Sequence, residues 1–187
     1  MTPAELPTFP LAALPTPLQH AERLERALGG PPLWIKRDDL TGFALAGNKA
    51  RKLEYTIGEA LAAGSDVIVT GGGPGSNHCR GTAAAARAAG LECAVVLYGL
   101  EPARPGANLA MIRSFGAEVR FTGDRDRGSV DPMLEMTAKE LESEGRRPYV
   151  LSRGGATAVG AYGYAVAARE LADQLDRAGV DPALLVV

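Results

Sequence analysis

From residue 66 onward, short apolar runs alternate with stretches of helical period. DVIVT (66–70), 93–98, 118–122, 148–152 and 183–187 are the apolar runs. Each is five or six residues long and most are bounded by Gly, Pro or Ser, the signature of a buried strand. Between them lie predicted helices over 76–89, 106–115, from Asp131-Pro132 onward, and 158–175. In the third, Leu134, Ala138 and Leu141 share a face, and in the fourth Val159, Tyr162 and Val166 point inward. Strand and helix in strict alternation imply an α/β fold, a parallel sheet with helices on both faces, joined by right-handed crossovers. Ligands of such sheets sit beyond the carboxyl ends of the strands. The glycine-rich segments 71–76 and 154–157 follow the first and fourth runs, so they are expected to converge on one crevice.

The first 65 residues read differently. Residues 1–15 are Pro-rich and predict an extended arm. Thr16-Pro17 has the form of a cap followed by Pro at the first helical position. Leu18, Ala21, Leu24 and Leu28 then recur at helical spacing up to Gly29-Gly30. Residues 33–37 predict a short strand closed by Asp38-Asp39, read as a solvated or capping pair. A helix follows from about Asn48 to Ala63. At the other end, ALLVV reads as a buried strand. Terminal residues are usually exposed, so further structure is expected beyond it.

Composition narrows the classes. The 187 residues carry 46% hydrophobic and 22% charged side chains and a net charge of −2, which is globular composition for one domain or two small ones. No basic stripe fits nucleic acid, and no run is long and apolar enough to span a bilayer. The N-terminus lacks the basic and apolar regions of a signal peptide. Cys79 and Cys93 have no metal-ligand spacing, so no metal is expected and a reducing cytoplasm is the default.

Two stretches carry candidate chemistry. In LTGFALAGNKARKLE (40–54), Asn48 is placed to cap the helix that Lys49 opens. Lys49 and Lys52 are three apart and share a face. Two ammonium groups at the positive end of a helix dipole are unfavourable. That arrangement calls for an anion between them or for one uncharged lysine, the form Schiff-base chemistry needs. The second stretch, TGGGPGSNHCRGT (70–82), puts a flexible glycine run before a helix opened by Ser76, Asn77 and His78. Free amides and the dipole there favour a carboxylate or phenolate oxygen. It is not a Walker loop and lacks the spacing of a dinucleotide fingerprint. His78 and His20 by themselves carry no assignment, and Cys79 reads as a buried thiol.

Taken together, PTPLQHAERLERALG, LWIKRDDLTGFALAGNKARKLEY, TGGGPGSNHCRGTAAAARAAGL and RGGATAVGAYGY resemble, in order and spacing, the D-cysteine desulfhydrase and 1-aminocyclopropane-1-carboxylate (ACC) deaminase family. These are pyridoxal 5'-phosphate (PLP) enzymes of the tryptophan synthase β-like kind, fold type II. The resemblance implies PLP as cofactor, a small amino acid as substrate and a homodimer. Carried over by position, Lys49 corresponds to the lysine that bonds to PLP. Asn77 corresponds to the residue that hydrogen-bonds the PLP ring oxygen, and Ser76 to a pocket hydroxyl for substrate carboxylate or proton transfer. Lys52 would neutralise charge near the phosphate. Ser76, Asn77 and His78 would face the substrate, and Ser-Asn-His resembles the desulfhydrase branch, where deaminases typically read Ser-Asn-Gln.

The sequence departs from the family at two points. Gly75 stands where Gln is common. The Ser/Thr-Gly-Gly-Thr type loop that holds the PLP phosphate would follow the strand matching ALLVV and is not in these 187 residues. The implied organisation is an arm and part of a larger domain (1–46), a complete smaller domain bearing the lysine and the Ser-Asn-His loop (47–157), and the start of the rest of the larger domain (158–187). The expected function is a PLP-dependent lyase or deaminase most like D-cysteine desulfhydrase, truncated at its C-terminal end and without the phosphate loop. The alternatives are an ACC deaminase, a non-catalytic α/β fragment binding an anion or another polypeptide, and a serine or threonine dehydratase. The Gly-Asn-Lys-x-Arg-Lys pattern argues against the last.

Overall fold

A computed structural model describes residues 6–186. Its centre is a four-stranded, wholly parallel sheet. The strands are β3 (Val67–Gly72), β4 (Glu92–Leu97), β5 (Glu118–Phe121) and β6 (Pro148–Leu151), in the order β5-β4-β3-β6. All are short, and Val67, Val69, Val95 and Val96 are buried, because a parallel sheet covered on both faces tolerates no polar side.

The two faces are covered unequally. Helices α2 (Lys49–Ala62), α3 (Asn77–Ala88) and α4 (Ala107–Ser114) cover one. There Leu53, Ile57, Ala83, Ala86, Leu109 and Ile112 close over Ile68, Val95 and Leu97. Helix α5 (Val130–Ser143) covers the other, and Val130, Leu134 and Leu141 meet Val67, Val69 and Val96. The expected apolar face of α5 is thus the buried one. The alanines of α3 are buried in this core, short side chains that let the helix lie close to the sheet. Gly71 shows the same closeness on the α5 side, where a Cβ would stand 2.4 Å from the Val130 side chain.

The strand order contains a reversal. The backbone steps outward from β3 to β4 to β5, then crosses back through α5 to lay β6 on the far side of β3. The crevice between the carboxyl ends of β3 and β6 is the topological switch point, where ligands bind in such sheets.

The N-terminal arm runs along α2, as its extended reading implies. Leu11 N and Ala12 N donate to Glu54 Oε1 at 2.8 and 2.9 Å, and Phe9 N donates to Glu54 O. The helix expected from Thr16-Pro17 is not there. Leu18–His20 is a strand, β1, paired antiparallel with β2 (Trp34–Lys36), and the helix α1 is only Glu22–Leu28, closed by Gly29 in the left-handed conformation. Thr16 does not cap because its hydroxyl is engaged elsewhere. It donates to Asp38 Oδ1 at 2.8 Å and accepts from Arg51 at 2.9 Å.

Asp38 likewise is no solvated pair with Asp39. It faces Arg51, while Asp39 turns out to Arg37. Asn48 precedes α2 but makes no capping hydrogen bond, since its own backbone is already helical, at φ −55° and ψ −22°. An N-cap side chain reaches its amide from an extended backbone, as Ser76 does for α3 at ψ 118°.

Helix α6 (Ala158–Ala178) packs across α2. Val159, Tyr162 and Val166 are half-buried, while the fully buried positions are Gly160 and Gly163. A Cβ on Gly163 would stand 2.2 Å from Arg51 O, so the two backbones touch. The fifth strand does not form among the described residues. Leu184, Leu185 and Val186 are exposed and unpaired, and Val187 lies outside the described part. Apolar composition makes a strand only where a neighbouring backbone offers a hydrogen-bond ladder, and here none does.

Candidate active site

The carboxyl ends of β3, β4 and β6 open on a cleft of about 620 Å³. Its walls include Lys49, the run Gly71–Gly73, Gly75, Ser76, Asn77, His78, Tyr98, Arg127, Arg153 and Gly154. The two glycine-rich segments therefore do converge. Four of the five candidate residues, Lys49, Ser76, Asn77 and His78, line this one cavity. The fifth, Lys52, stands behind the wall. Its Nζ lies 5.7 Å from the centre of the Tyr164 ring, and it reaches the cleft as charge.

Each wall residue is held by local structure. Lys49 is the first residue of α2, half-buried. Burial, and then the charge of Lys52, push its pKa below the ordinary lysine value. Ser76 caps α3, its Oγ accepting from Cys79 N at 3.1 Å, which leaves the hydroxyl proton to donate into the cleft. Asn77 opens the helix and is exposed. His78 is 3% exposed and hydrogen-bonded through Nε2 to Thr70 Oγ1 at 3.1 Å. Burial, with Lys49 and Lys52, pushes its pKa down to about 4, so at neutral pH it is uncharged. The Cys79 thiol is buried and its pKa pushed up to about 11, so it is inert, as its reading as a core thiol implies.

Two latches tie the loops together. Arg80 donates to Asn108 and to Leu45 O, and the Asn108 amide donates to Gly75 O at 2.6 Å. Leu45 and its neighbour Ala44 both hold positive φ, at 52° and 44°, a conformation that side chains disfavour. The lysine loop is thus gripped from the same helix that carries Ser-Asn-His. A Cβ on Gly75 would meet nothing within 4 Å, so the departure from Gln there costs the loop no packing.

Sequence reasoning missed Tyr98, Arg127 and Arg153. Tyr98 directly follows β4 and Arg153 lies two residues past β6, so the rule that ligands sit at strand ends would have found both. Arg127 sits in a short turn before α5 and carries no such mark.

The electrostatics are one-sided. Lys49, Arg127 and Arg153 line the cleft and no carboxylate does, although Arg153 is paired with Asp131 at 2.7 Å. The first-turn amides of α3 add partial positive charge. A concave basic site with a lysine of lowered pKa fits an anionic carbonyl compound, and PLP has that chemistry.

The sequence profile described as "Pyridoxal-phosphate dependent enzyme" matches residues 10–187. The protein belongs to this family. Among PLP-dependent relatives, it is 39% identical over 184 residues to a putative ACC deaminase of Pyrococcus furiosus, covering 98% of this sequence and 55% of that one. It is 41% identical over 176 residues to the mitochondrial bifunctional D-cysteine desulfhydrase/ACC deaminase of Arabidopsis thaliana, covering 90% and 44%. A crystal structure of an ACC deaminase homologue superposes with a TM-score of 0.85 at 40% identity, over 91% of this protein and 52% of that one. The fold is therefore the type II architecture of PLP-dependent enzymes. The 187 residues span about half the length of the curated relatives they match. Among the described residues no helix is long and apolar enough to cross a membrane and no His, Cys, Asp or Glu cluster could hold a metal.

Proposed function

We propose that this protein supplies the lysine-bearing half of the active site of a PLP-dependent lyase or deaminase acting on a small amino acid, D-cysteine foremost. The observation that carries the reading is the convergence of Lys49, Ser76, Asn77 and His78 on one cleft with no carboxylate. When bound, PLP supplies the electron sink for the charge left at a substrate carbon. The protein's part follows from the geometry. Lys49 Nζ, whose pKa is depressed, attacks an aldehyde as a neutral amine and, when free, accepts a proton. Asn77 and the amides at the start of α3 orient an anionic oxygen. Ser76 donates its hydroxyl proton to a substrate carboxylate. Lys52 keeps Lys49 from holding its proton. For D-cysteine the balanced outcome with one water is pyruvate, sulfide and ammonia. The relatives named for ACC deaminase favour ring opening of ACC as the second reading, and His78 in the Ser-Asn-His triplet favours the first. The curated relatives are about twice as long, so the working enzyme is expected to need the other half of the site, and homodimerisation belongs to this proposal.

The test is direct. The protein is mixed with PLP, its visible spectrum recorded, and the complex reduced with borohydride and mapped. Of the lysines, Lys36, Lys49, Lys52 and Lys139, only Lys49 should carry the label, and Lys49→Ala should abolish the spectrum. Labelling spread over the other lysines, or unchanged in Lys49→Ala, would overturn the assignment. Sulfide release from D-cysteine and ammonia release from ACC then separate the two activities.

A further inference from the structure

Thr70 lies in β3 just before the glycine run and is wholly enclosed. A threonine hydroxyl has one proton and two lone pairs. Thr70 Oγ1 lies 2.9 Å from Leu151 O. A carbonyl oxygen can only accept, so the proton is committed there. The second partner, His78 Nε2 at 3.1 Å, must then be the donor. A neutral imidazole carries one N–H, and burial beside Lys49 and Lys52 keeps His78 neutral. Its Nδ1 is therefore a bare lone pair.

The Nδ1 edge of the ring has room in front of it. It faces Gly155, where a Cβ would stand 3.2 Å from Cε1 and 3.6 Å from Nδ1, with Lys52 Cδ 3.8 Å from the same point. Gly155 has φ +65°, so the backbone itself disfavours a side chain there. No residue among those described donates to Nδ1. The charged groups that act on the ring are the two lysines of α2, both donors.

We propose that Thr70 is a positioning residue that, by committing its hydroxyl proton to Leu151, fixes His78 as the Nε2–H tautomer and so leaves Nδ1 as a bare acceptor beside the lysines of α2. The device places one acceptor on a wall otherwise rich in cations. This deepens and rests on the reading of the cleft given above, but it can be tested with no cofactor present.

The experiment is long-range proton–nitrogen correlation NMR on the 187-residue protein labelled with 15N-histidine at neutral pH. His20 is the only other histidine and is identified by its absence in His20→Gln. The wild type should show a protonated Nε2 and an unprotonated Nδ1 for His78. Thr70→Val should lose that fixed pattern, and Thr70→Ser should restore it. Lys49→Met removes a neighbouring charge but leaves the Thr70 bond, so it should leave Nε2 protonated. A protonated Nδ1 in the wild type would overturn the proposal, and this holds even if Thr70→Val does not fold. An unchanged tautomer in folded Thr70→Val would overturn the role of Thr70. A protonated Nδ1 in folded Lys49→Met would show that Thr70 does not set the tautomer. All three are read independently of PLP labelling, so their failure is distinct from failure of the cofactor assignment.

Discussion

Helix α2 carries two cationic clusters within four residues, and they are opposites. Arg51 is 1% exposed and surrounded by acceptors. Its guanidinium binds both oxygens of Asp38 at 2.8 and 2.9 Å and both oxygens of Glu170 at 3.0 Å. Lys36 joins Glu170 from the other side and donates to Thr16 O at 2.6 Å. Two cations and two anions close a neutral set. One turn round the same helix, Lys49 and Lys52 have no carboxylate within ion-pair distance among the described residues. The pKa values follow the contrast. Burial works to raise that of Glu170, but the bonds from Arg51 and Lys36 outweigh it and hold it down to about 2. Burial lowers that of Lys49 and the like charge of Lys52 lowers it further. A completed ion cluster is architecture, joining the arm, α2 and α6. An uncompleted one is a demand for something the polypeptide does not itself provide.

The largest break in this comparison is Arg51→Ala. It leaves Asp38 without its cation and Glu170 with Lys36 alone in a largely buried site, and removing one partner of a buried pair costs about 3–5 kcal/mol. Chemical denaturation should read that loss, while Lys49→Ala, in the open cluster, should cost far less stability.

Acid separates the clusters by pH. As pH falls below 6.5, unfolded His78 takes up a proton that the folded protein refuses until about pH 4. Stability is therefore intact near neutrality and falls between those values, by about 3 kcal/mol in all. Glu170 acts in a lower window. Its carboxylate contributes stability above pH 4.5 that is lost as pH falls toward about 2. Denaturation midpoints against pH should show the upper step vanish in His78→Gln and the lower one remain.

The smallest effect sharpens the idea most. Lys52→Met removes a like charge one turn from Lys49 and should stabilise the helix by about 0.2–0.5 kcal/mol. It should also move the onset of Lys49 reactivity toward aldehydes to higher pH, measured as the rate of PLP attachment.

The central sheet was legible because short apolar runs between glycines have few other interpretations. The cleft was legible because strand ends in such a sheet must meet. The ion cluster was not, since Arg51 and Glu170 lie 119 residues apart and nothing local marks them as partners. Leu18, Ala21, Leu24 and Leu28 keep helical spacing although the segment opens as a strand. There the pairing with Trp34–Lys36 and the engaged Thr16 hydroxyl override local preference. Asn48 has the right identity for a cap and the wrong backbone angles, which identity cannot reveal. Residues 183–186 show the reverse limit, a good strand composition that pairs with no strand among the described residues.

The bare contact of Gly163 with Arg51 O has a mechanical consequence. With no side chain between them to slide or compress, α6 and α2 are geared together, and the Glu170–Arg51 bonds act as a pin through the joint. A displacement of α6 at this joint is passed to the turn of α2 from which Lys49 projects.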